Sequence, residues 1–428
     1  MEKLDVLHRQ GLRLCLGAFK SSPKESLYVE ANEPPLEFRR LDLAMRYALK
    51  IKANRDNPTY QSLYELDNSH LYEGVDSNFL PLGEFIKNNF RDAHIDVNKI
   101  TQTVIPLYPV WQSDVIDVSF KLSTYDKKST PPALFKSIFL SEVLPEYEDY
   151  VHIYTDGSKQ DERAACSFSV YGRCMYSLRL SNDSSIFTAE IEAINRALRF
   201  IKMKDLKKVV IFCDSKSVLQ CIDSQETRNP LMLNLLDELQ WQISEPNNRI
   251  IKFCWLPSHV GIHGNEVADA GAKAALSIPV VGKNEIPYSD LTPKVKTYIR
   301  NKWKEHYRFC HENVRPIKLF SINPHIRPFY INGISRKDEV IIHRIRIGHT
   351  RLTHSYVMEG GHIDFPPRCH FCGNCPLTVR HLIIECRYFY FLRERYIGGA
   401  RGMGDLFERF SLKHILEFLK RSNLYQQI

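Results

Sequence analysis

The sequence predicts an α/β fold with a mixed, five-stranded sheet, flanked on both sides by mainly helical regions. Two observations support this fold class. Residues 150–277 alternate short apolar runs with amphipathic stretches in the order βββαβαβα, which is typical of α/β layers. Outside that range the apolar residues recur mostly at helical spacing. With 428 residues, the chain is long enough for two or three domains.

The first region, residues 1–120, is predicted to be mostly helical. An apolar pattern with polar breaks begins at Leu4, and Pro34-Pro35 interrupts it. The clearest helix is Leu36–Ile51, whose apolar residues recur near i, i+3, i+4 and i+7. Nothing in this region indicates catalysis by itself, and a helical packing domain is its simplest interpretation.

Residues 121–146 are predicted to be a linker. A polar run from Asp126 to Thr130 is followed by the double proline Pro131-Pro132, and this combination is typical of a loop. Within this segment, Ala133–Leu144 is a candidate for a short docking helix.

Residues 147–277 are predicted to hold the sheet. Val151–Thr155 is the first strand, which ends on Asp156, and Gly157 is predicted to turn the chain directly afterwards. Lys208–Cys213 is a nearly unbroken apolar run, as expected for a buried central strand. The other predicted strands are Ala164–Val170, Cys174–Leu180 and Ile250–Leu256, and the predicted helices begin at Thr188, Val218, Leu231 and Asn265.

Four acidic residues stand where a fold is able to hold metal ions. Asp156 ends the first strand, Glu190 lies in the first turn of a helix, Asp214 ends the central strand and Asp269 lies on the last helix. Phosphodiester hydrolysis with two Mg²⁺ ions needs hard oxygen ligands on rigid elements. Each residue alone is most simply a helix cap or a surface residue, but the four in this order predict a nuclease site for two Mg²⁺ or Mn²⁺ ions.

The motifs around these carboxylates resemble type 1 ribonuclease H over about Val151–Ala275. They are Thr155-Asp156-Gly157-Ser158, Thr188-Ala189-Glu190, Asp214-Ser215, Pro257-Ser258-His259-Val260-Gly261 and Gly264-Asn265-Glu266-Val267-Ala268-Asp269. The resemblance implies a ribonuclease H-like sheet in which Asp156, Glu190, Asp214 and Asp269 are the catalytic, metal-binding residues. It also implies that His259 is catalytic and assists proton transfer or product release, although a lone loop histidine is more simply an exposed residue.

The resemblance implies cleavage of the RNA strand of RNA–DNA hybrids, with contacts to 2′-hydroxyl groups selecting RNA. One departure concerns substrate affinity. Some members of the family carry a basic handle helix after the third carboxylate motif, whereas Asp223–Pro230 has Arg228 as its only basic residue. We therefore expect flanking segments to supply affinity for the hybrid, and residues 147–277 alone to bind it poorly.

The N-terminal region resembles the thumb and connection region of non-LTR, LINE-type retrotransposon reverse transcriptases. The resemblance covers roughly Leu4–Tyr60 and is carried by Leu4–Leu14, Gly17-Ala18-Phe19, Ser22-Pro23 and Leu27–Ala31. The paired aspartates of a polymerase site are missing, since no adjacent Asp-Asp occurs in the sequence. The resemblance thus implies a C-terminal fragment of an ancestral polyprotein whose reverse transcriptase core is absent.

Residues 278–355 are predicted to form a basic helical region. Basic residues interleave with Tyr298, Trp303 and Tyr307, and a second group runs from His343 to Arg351. Basic residues among aromatic ones suit a nucleic-acid surface, and a solvated helix face explains the same pattern. The basic residues are Lys294, Lys296, Arg300, Lys302, Lys304, Arg308, Arg344, Arg346, His349 and Arg351.

Residues 356–400 carry a cysteine cluster with the spacing of zinc ligands, and residues 401–428 are predicted to end the chain in an amphipathic helix. Three thiolates and one imidazole close a tetrahedral zinc site. Cys375 and His370 are alternative ligands. Buried free cysteines are the other interpretation, which the joint occurrence of the Cys-x2-Cys and His-x4-Cys pairs disfavours. The cluster resembles the C-terminal Cys-Cys-His-Cys finger of the same retrotransposon family. The candidate ligands are Cys369, Cys372, His381 and Cys386.

The totals of the sequence fit an intracellular protein. Lys and Arg number 58 against 50 Asp and Glu, and the resulting charge of +8 permits a nucleic-acid partner without demanding one. No apolar run approaches the roughly 20 residues of a membrane span, and the charged N-terminus lacks the apolar segment of a secretory signal. The 11 cysteines fit a reducing compartment, so we expect a nuclear or cytoplasmic location.

These observations favour a retrotransposon-derived ribonuclease H with an RNA–DNA hybrid as its partner. The alternative is a catalytically silent, nucleic-acid-binding remnant. Loss of the polymerase core favours that alternative, and the presence of all four carboxylates and His259 opposes it. A related transposase or exonuclease with the same class of sheet is a weaker alternative, and an assay of hybrid cleavage separates the enzyme from the remnant.

Overall fold

A computed structural model describes residues 2–65, 69–72, 74–75, 79–103, 105, 113–127, 129–244, 246–358, 367–373 and 375–428. Lys128 of the predicted linker and residues 359–366 of the predicted zinc region lie outside the described residues. The chain forms two compact units, one of residues 44–295 and one of residues 1–43 with 296–428. Among the described residues, no helix is both long enough and apolar enough to span a membrane.

The unit of residues 44–295 is built on a six-stranded mixed sheet with the order β1-β6-β5-β2-β3-β4. Strands β1, β6, β5 and β2 pair in parallel, whereas β2, β3 and β4 pair antiparallel. The α/β fold class and the five predicted strands are confirmed, and the short β1 adds a sixth from the region predicted to be helical. The strands are β1 Asp117–Ser119, β2 Val151–Gln160, β3 Arg163–Val170, β4 Arg173–Arg179, β5 Lys208–Cys213 and β6 Ile250–Trp255.

Helices account for most of the remaining regular structure. Helix α3 agrees with the helix predicted from Leu36, and α6 begins two residues before the predicted start at Thr188. The helices are α1 Glu2–Leu16, α2 Lys24–Glu30, α3 Leu36–Lys52, α4 Leu82–Asp92, α5 Pro132–Ile138, α6 Ile186–Met203, α7 Lys216–Ser224, α8 Pro230–Ile243, α9 His263–Ala275, α10 Thr292–Phe309, α11 Arg336–Ile347, α12 Arg351–Met358, α13 Tyr390–Ile397, α14 Met403–Arg409 and α15 Leu412–Arg421.

Strand β2 continues past Asp156, which corrects the prediction that the strand ends there. Asp156 pairs with Ser167 of β3, and Gly157 pairs with Cys166. The chain therefore turns only at Asp161, where φ is +52°. Gly157 is therefore not a turn residue. A Cβ atom at this position would lie 2.7 Å from the backbone nitrogen of Glu190, so glycine is needed for the close approach of α6 to the strand.

The segment predicted to be a linker is part of the packed unit. Leu122, Phe135, Phe139 and Val143 are buried in the same core as the sheet, and the ring of Phe139 meets that of Phe212 on β5 edge-on at 5.3 Å. The linker was predicted from the polar run and the double proline. The segment packs against the sheet because of its apolar residues, since burying each such side chain stabilises a fold by roughly 1.5–3 kcal/mol.

The unit of residues 1–43 and 296–428 is helical, and part of the predicted basic surface lies in its interior. Arg346 and His343 of α11 are buried, and each contacts the buried carboxylate of Glu30 at 2.8 Å. Trp303 and Tyr307 are also buried, so their rings pack in the core and do not offer a stacking surface for bases. For these residues the basic and aromatic pattern reflects internal ion pairing and packing.

Candidate active site and metal centre

Three of the four predicted carboxylates meet at one edge of the sheet. Strands β2 and β5 are parallel neighbours, and Thr155 pairs with Cys213, so Asp156 and Asp214 follow at corresponding positions. Oxygen atoms of Asp156, Glu190 and Asp214 lie within 4.8 Å of one another. Glu190 is 34 positions after Asp156 and 24 positions before Asp214. Strand register and the packing of α6 thus bring the three residues together.

Helix α6 delivers Glu190 to this edge. Ser185 caps the helix, since its hydroxyl oxygen accepts a hydrogen bond from the Thr188 backbone N–H at 3.1 Å. The backbone N–H of Gly157 donates to the Glu190 carboxylate. Gly157 therefore serves the site twice, by allowing the helix to approach and by orienting one of its carboxylates.

Helix α9 brings Asp269 beside the other three carboxylates. A carboxylate oxygen of Asp269 lies within 4.8 Å of ligand atoms of His259 and Glu266. The charge of Asp269 raises the pKa of both Asp156 and Asp214. The Asp269 carboxylate accepts from Lys273 Nζ at 2.7 Å and lies 3.8 Å from His259 Nδ1. Asp269 thus stands at the rim of the cluster, next to the predicted histidine.

The electrostatics of the cluster fit a bound cation. Burial and the charges of Asp214 and Asp269 raise the pKa of Asp156 to about 8. Burial together with Asp214 and Asp156 also raises the pKa of Glu190 well above its ordinary value. The Oδ2 atom of Asp156 is buried without a hydrogen-bond partner among the described residues. A divalent cation is the chemical group that satisfies such an oxygen and offsets the repulsion among the carboxylates.

Asn265 contributes to the site, although the sequence did not assign it a role. Its buried side chain donates a hydrogen bond to the Asp214 carboxylate, which lowers the pKa of Asp214 against the opposing effect of burial. In the sequence it stands at the predicted start of a helix, where asparagine is an ordinary cap residue. Lys273 was also missed, although its place four residues after Asp269 on one helix is a readable signal for an ion pair.

His259 lies on an exposed loop between β6 and α9. Its φ is +58° and Gly261 follows at +80°, so the loop turns sharply around the histidine. The Gly261 backbone N–H donates to Glu266 Oε1 at 3.2 Å, which ties the loop to the first turn of α9. The sequence placed His259 on a loop before the last helix, and the structure gives it that position.

The predicted zinc ligands Cys369, Cys372, His381 and Cys386 also come together, with their ligand atoms within 4.8 Å of one another. His381 Nε2 lies 3.3 Å from Cys372 Sγ, and its other nitrogen lies 3.8 Å from Glu385 Oε2. Burial and the neighbouring Cys369 raise the pKa of the Cys386 thiol to about 11. Three sulfurs and one imidazole at this spacing fit a tetrahedral zinc ion, which stabilises the thiolate form.

The two alternative ligands lie outside this group. Cys375 is exposed, and its part in the structure is a backbone one, because its carbonyl oxygen accepts from the Cys369 backbone N–H at 2.7 Å. His370 is exposed and its ring contacts Phe371, with the ring centres 4.2 Å apart. The ligand atoms that come together are thus those of Cys369 and Cys372, and the exposed Cys375 is not part of the group.

Comparison with known proteins assigns the central region to a class. Residues 148–277 match the family model described as RNase H, so the chain contains an RNase H domain. No curated protein sequence matches the chain.

The solved structures that are similar to this chain include three RNase H structures. LC11-RNase H1, isolated from compost and solved with an RNA/DNA hybrid, is 19% identical over 30% of this chain and 99% of that chain, with a TM-score of 0.25. The N-terminal RNase H domain of a Mycobacterium tuberculosis protein is 20% identical over 30% and 99%, with a TM-score of 0.26. RNase H1 from Halobacterium salinarum is 21% identical over 30% and 97%, with a TM-score of 0.24.

Proposed function

We propose that residues 148–277 form a metal-dependent endonuclease that hydrolyses the RNA strand of RNA–DNA hybrids. The single observation that carries this proposal is the convergence of Asp156, Glu190 and Asp214 in one cluster, with Asp269 at its rim. The match of the same residues to the RNase H family model supports the choice of substrate.

Asp156, Glu190, Asp214 and Asp269 would hold two Mg²⁺ or Mn²⁺ ions. When bound, such ions activate the attacking water and stabilise the leaving 3′ oxygen of the RNA. The buried, unpartnered Oδ2 of Asp156 and the raised pKa values of the cluster support this ligand set. The neighbouring strands and helices keep the ligand oxygens in place, which the chemistry requires.

Other side chains of this chain orient the ligands or move protons. Asn265 and the Gly157 backbone N–H each donate to one carboxylate and so fix its direction. Lys273 balances the charge of Asp269. His259 is exposed beside Asp269, where its imidazole is placed to carry a proton between the substrate and solvent.

Replacement of Asp214 tests the proposal. In Asp214→Asn one ligand charge is lost while the shape of the side chain is kept. We expect hybrid cleavage in Mg²⁺ to fall by roughly two orders of magnitude or more, as when other groups that stabilise transition-state charge are removed. The measurement is the turnover of a labelled RNA strand in a hybrid duplex, with the circular dichroism spectrum and melting temperature as checks on folding.

Asp223→Asn is the matched control, because Asp223 is an exposed aspartate on the neighbouring helix α7. It should cleave at the wild-type rate. Wild-type turnover in Asp214→Asn would contradict the metal assignment. If the wild-type chain binds hybrid without cleaving it in Mg²⁺ or Mn²⁺, the silent, nucleic-acid-binding remnant becomes the better interpretation.

We propose further that the four Cys and His ligands hold a zinc ion that stabilises the C-terminal region. The four protein ligands, three of them buried, support a structural role for this ion, since they would fill a tetrahedral site and leave no position for substrate. Descent from a LINE-type retrotransposon polyprotein is part of the same proposal. It is supported by the sequence resemblances of Leu4–Tyr60 and of the Cys-Cys-His-Cys cluster.

A further inference from the structure

The RNase H domain lacks a basic handle between α7 and α8, the two helices that follow its third carboxylate. Helix α7 ends at Ser224 and α8 begins at Pro230, and the short connection between them has Arg228 as its only basic residue. Sequence-independent affinity for a nucleic-acid backbone comes mainly from lysine and arginine contacts to phosphates. Lysine and arginine residues outside the domain that the family model covers are therefore candidates for contacts to the substrate backbone.

The upstream segment of residues 121–147, which we call the flank, is fixed against the sheet. Phe135 and Phe139 are buried in the core of the sheet, and Tyr125 meets Phe135 edge-on with ring centres 6.3 Å apart. The flank is therefore anchored to the core of the sheet by Leu122 near its start and by buried residues from Phe135 onwards.

Two lysines of the flank reach the loop that carries His259. Lys127 Nζ donates to the hydroxyl oxygen of Ser258 at 2.6 Å. The side chain of Lys136, on α5, passes beside Gly261, since a Cβ atom built on that glycine would lie 3.7 Å from Lys136 Cδ. Both lysines are exposed, and they approach the same loop from different parts of the flank.

Lys127 and Lys136 form no ion pair among the described residues, whereas Nζ of Lys207, another exposed lysine, lies 2.8 Å from Asp205 Oδ1. Lys127 contacts Ser258, the residue before His259, and His259 Nδ1 lies 3.8 Å from the Asp269 carboxylate. Two cations thus stand beside an anionic cluster that has to receive a phosphodiester, where they offset its repulsion of the substrate.

We infer that Lys127 and Lys136 bind backbone phosphates of the nucleic-acid substrate adjacent to the one held at the carboxylates. This inference rests on the proposed function and extends the substrate-binding surface beyond residues 148–277. The ligand is the phosphate backbone of an RNA–DNA hybrid. The flank provides, from upstream in the chain, the positive charge that the connection after α7 lacks.

The test uses the full chain with the substitutions Lys127→Ala and Lys136→Ala, singly and together, and with the same two positions changed to arginine. Hybrid binding is measured without divalent ions, so that cleavage does not interfere, over a series of salt concentrations. Cleavage in Mg²⁺ is measured separately to obtain KM and kcat. Lys207→Ala is the matched control. Lys207 directly precedes β5 and Asp214 directly follows it, so the two residues lie at opposite ends of this strand.

The double alanine variant should bind hybrid roughly tenfold more weakly, and the slope of log affinity against log salt should fall by about two, one for each lost phosphate contact. KM should rise while kcat stays within about twofold, since the catalytic groups are untouched. The arginine variants should bind like the wild type, as should Lys207→Ala. An unchanged affinity, salt slope and KM in the double variant would overturn the inference.

The binding measurements separate this inference from the proposed function. If the wild-type chain binds hybrid but does not cleave it, the proposed function fails, and the salt slope still decides whether the two lysines contact phosphate. If the wild-type chain binds no hybrid, the inference is overturned as well. A fall in kcat with KM unchanged would also overturn it, because such a result indicates distortion of the carboxylates.

Discussion

Asn265 and Asp214 illustrate how single residues decide the chemistry of this site. Burial raises the pKa of the Asp214 carboxyl, and the hydrogen bond from Asn265 acts in the opposite direction. A carboxylate binds a metal ion only in its ionised form, so the amide favours the state that the ligand role requires. Replacing a residue that hydrogen-bonds to a metal ligand typically costs roughly 10- to 100-fold in metal affinity or activity.

Asn265→Ala should therefore weaken metal binding without removing a ligand. We expect the Mg²⁺ concentration for half-maximal hybrid cleavage to rise roughly 10- to 100-fold, with activity recovering at saturating Mg²⁺. The measurement is a Mg²⁺ titration of the cleavage rate. Asn234→Ala, at an exposed position on α8, is the control and should leave the titration unchanged. An unaltered Mg²⁺ requirement in Asn265→Ala would show that the amide does not support the metal site.

At the scale of elements, the site depends on how closely α6 lies against β2. A Cβ atom at position 157 would lie 2.7 Å from Glu190 N and 3.0 Å from atoms of Ala189, all of them on the facing helix. Backbone atoms of a packed helix have little room to move, so any side chain here displaces the helix that carries Glu190.

Gly157→Ala should destabilise the protein and impair cleavage together. Overpacking of this kind costs about 1–3 kcal/mol in the free energy of unfolding, and a displaced Glu190 should lower kcat. Gly11→Ala is the matched control, because no atom lies within 4 Å of its Cβ position on helix α1. There the substitution should be neutral or stabilising by up to about 1 kcal/mol. Urea unfolding and cleavage rates of both variants test the expectation, and a fully active, stable Gly157→Ala would contradict it.

The cluster of Cys369, Cys372, His381 and Cys386 is a second element whose geometry selects among ligands. Cys369→Ser should remove zinc from the purified chain and lower its melting temperature, because zinc affinity contributes directly to the stability of such small sites. Cys375→Ser is the matched control, since Cys375 is exposed and outside the ligand group. It should retain one zinc ion per chain by atomic absorption. A wild-type chain without zinc, or loss of zinc in Cys375→Ser, would refute this ligand set.

At the scale of the whole molecule, the RNase H domain is completed by residues outside it. Leu122, Phe135, Phe139 and Val143 of the flank are buried in the core of the sheet. On the downstream side, Asp290 Oδ2 accepts from the Ser185 backbone N–H at 2.9 Å and from Thr188 Oγ1 at 2.7 Å, at the start of α6. Residues upstream and downstream of the RNase H domain therefore support the elements that hold the carboxylates.

A fragment of residues 148–277 should therefore be unstable, whereas a fragment of residues 113–295 should fold. Burial of four apolar side chains contributes roughly 6–12 kcal/mol, which is comparable with the whole stability of a typical domain, about 5–15 kcal/mol. Thermal unfolding should show a cooperative transition for the longer fragment only. Equal melting temperatures for the two fragments would show that the upstream and downstream residues are dispensable for folding.

The amino-acid sequence alone determined the class of the fold and singled out the candidate site residues, whose roles stay predictions. The alternation of side chains along a strand and the spacing of residues within a motif are local patterns, because each involves only a few neighbouring residues. For that reason the five strands of the α/β sheet were predictable, and so were the candidate ligands Asp156, Glu190, Asp214, Asp269 and the Cys369–Cys386 cluster. The retrotransposon origin and the predicted domain boundaries stay predictions.

Tertiary structure alone decided which of these residues touch and which are interior. The strand runs through Asp156, Gly157 is a point of close packing, the flank is core and Arg346 is buried against Glu30. In each case the deciding partner lies far away in the sequence. Burial and close approach belong to pairs of distant residues, so they become visible only when the chain has brought those pairs together.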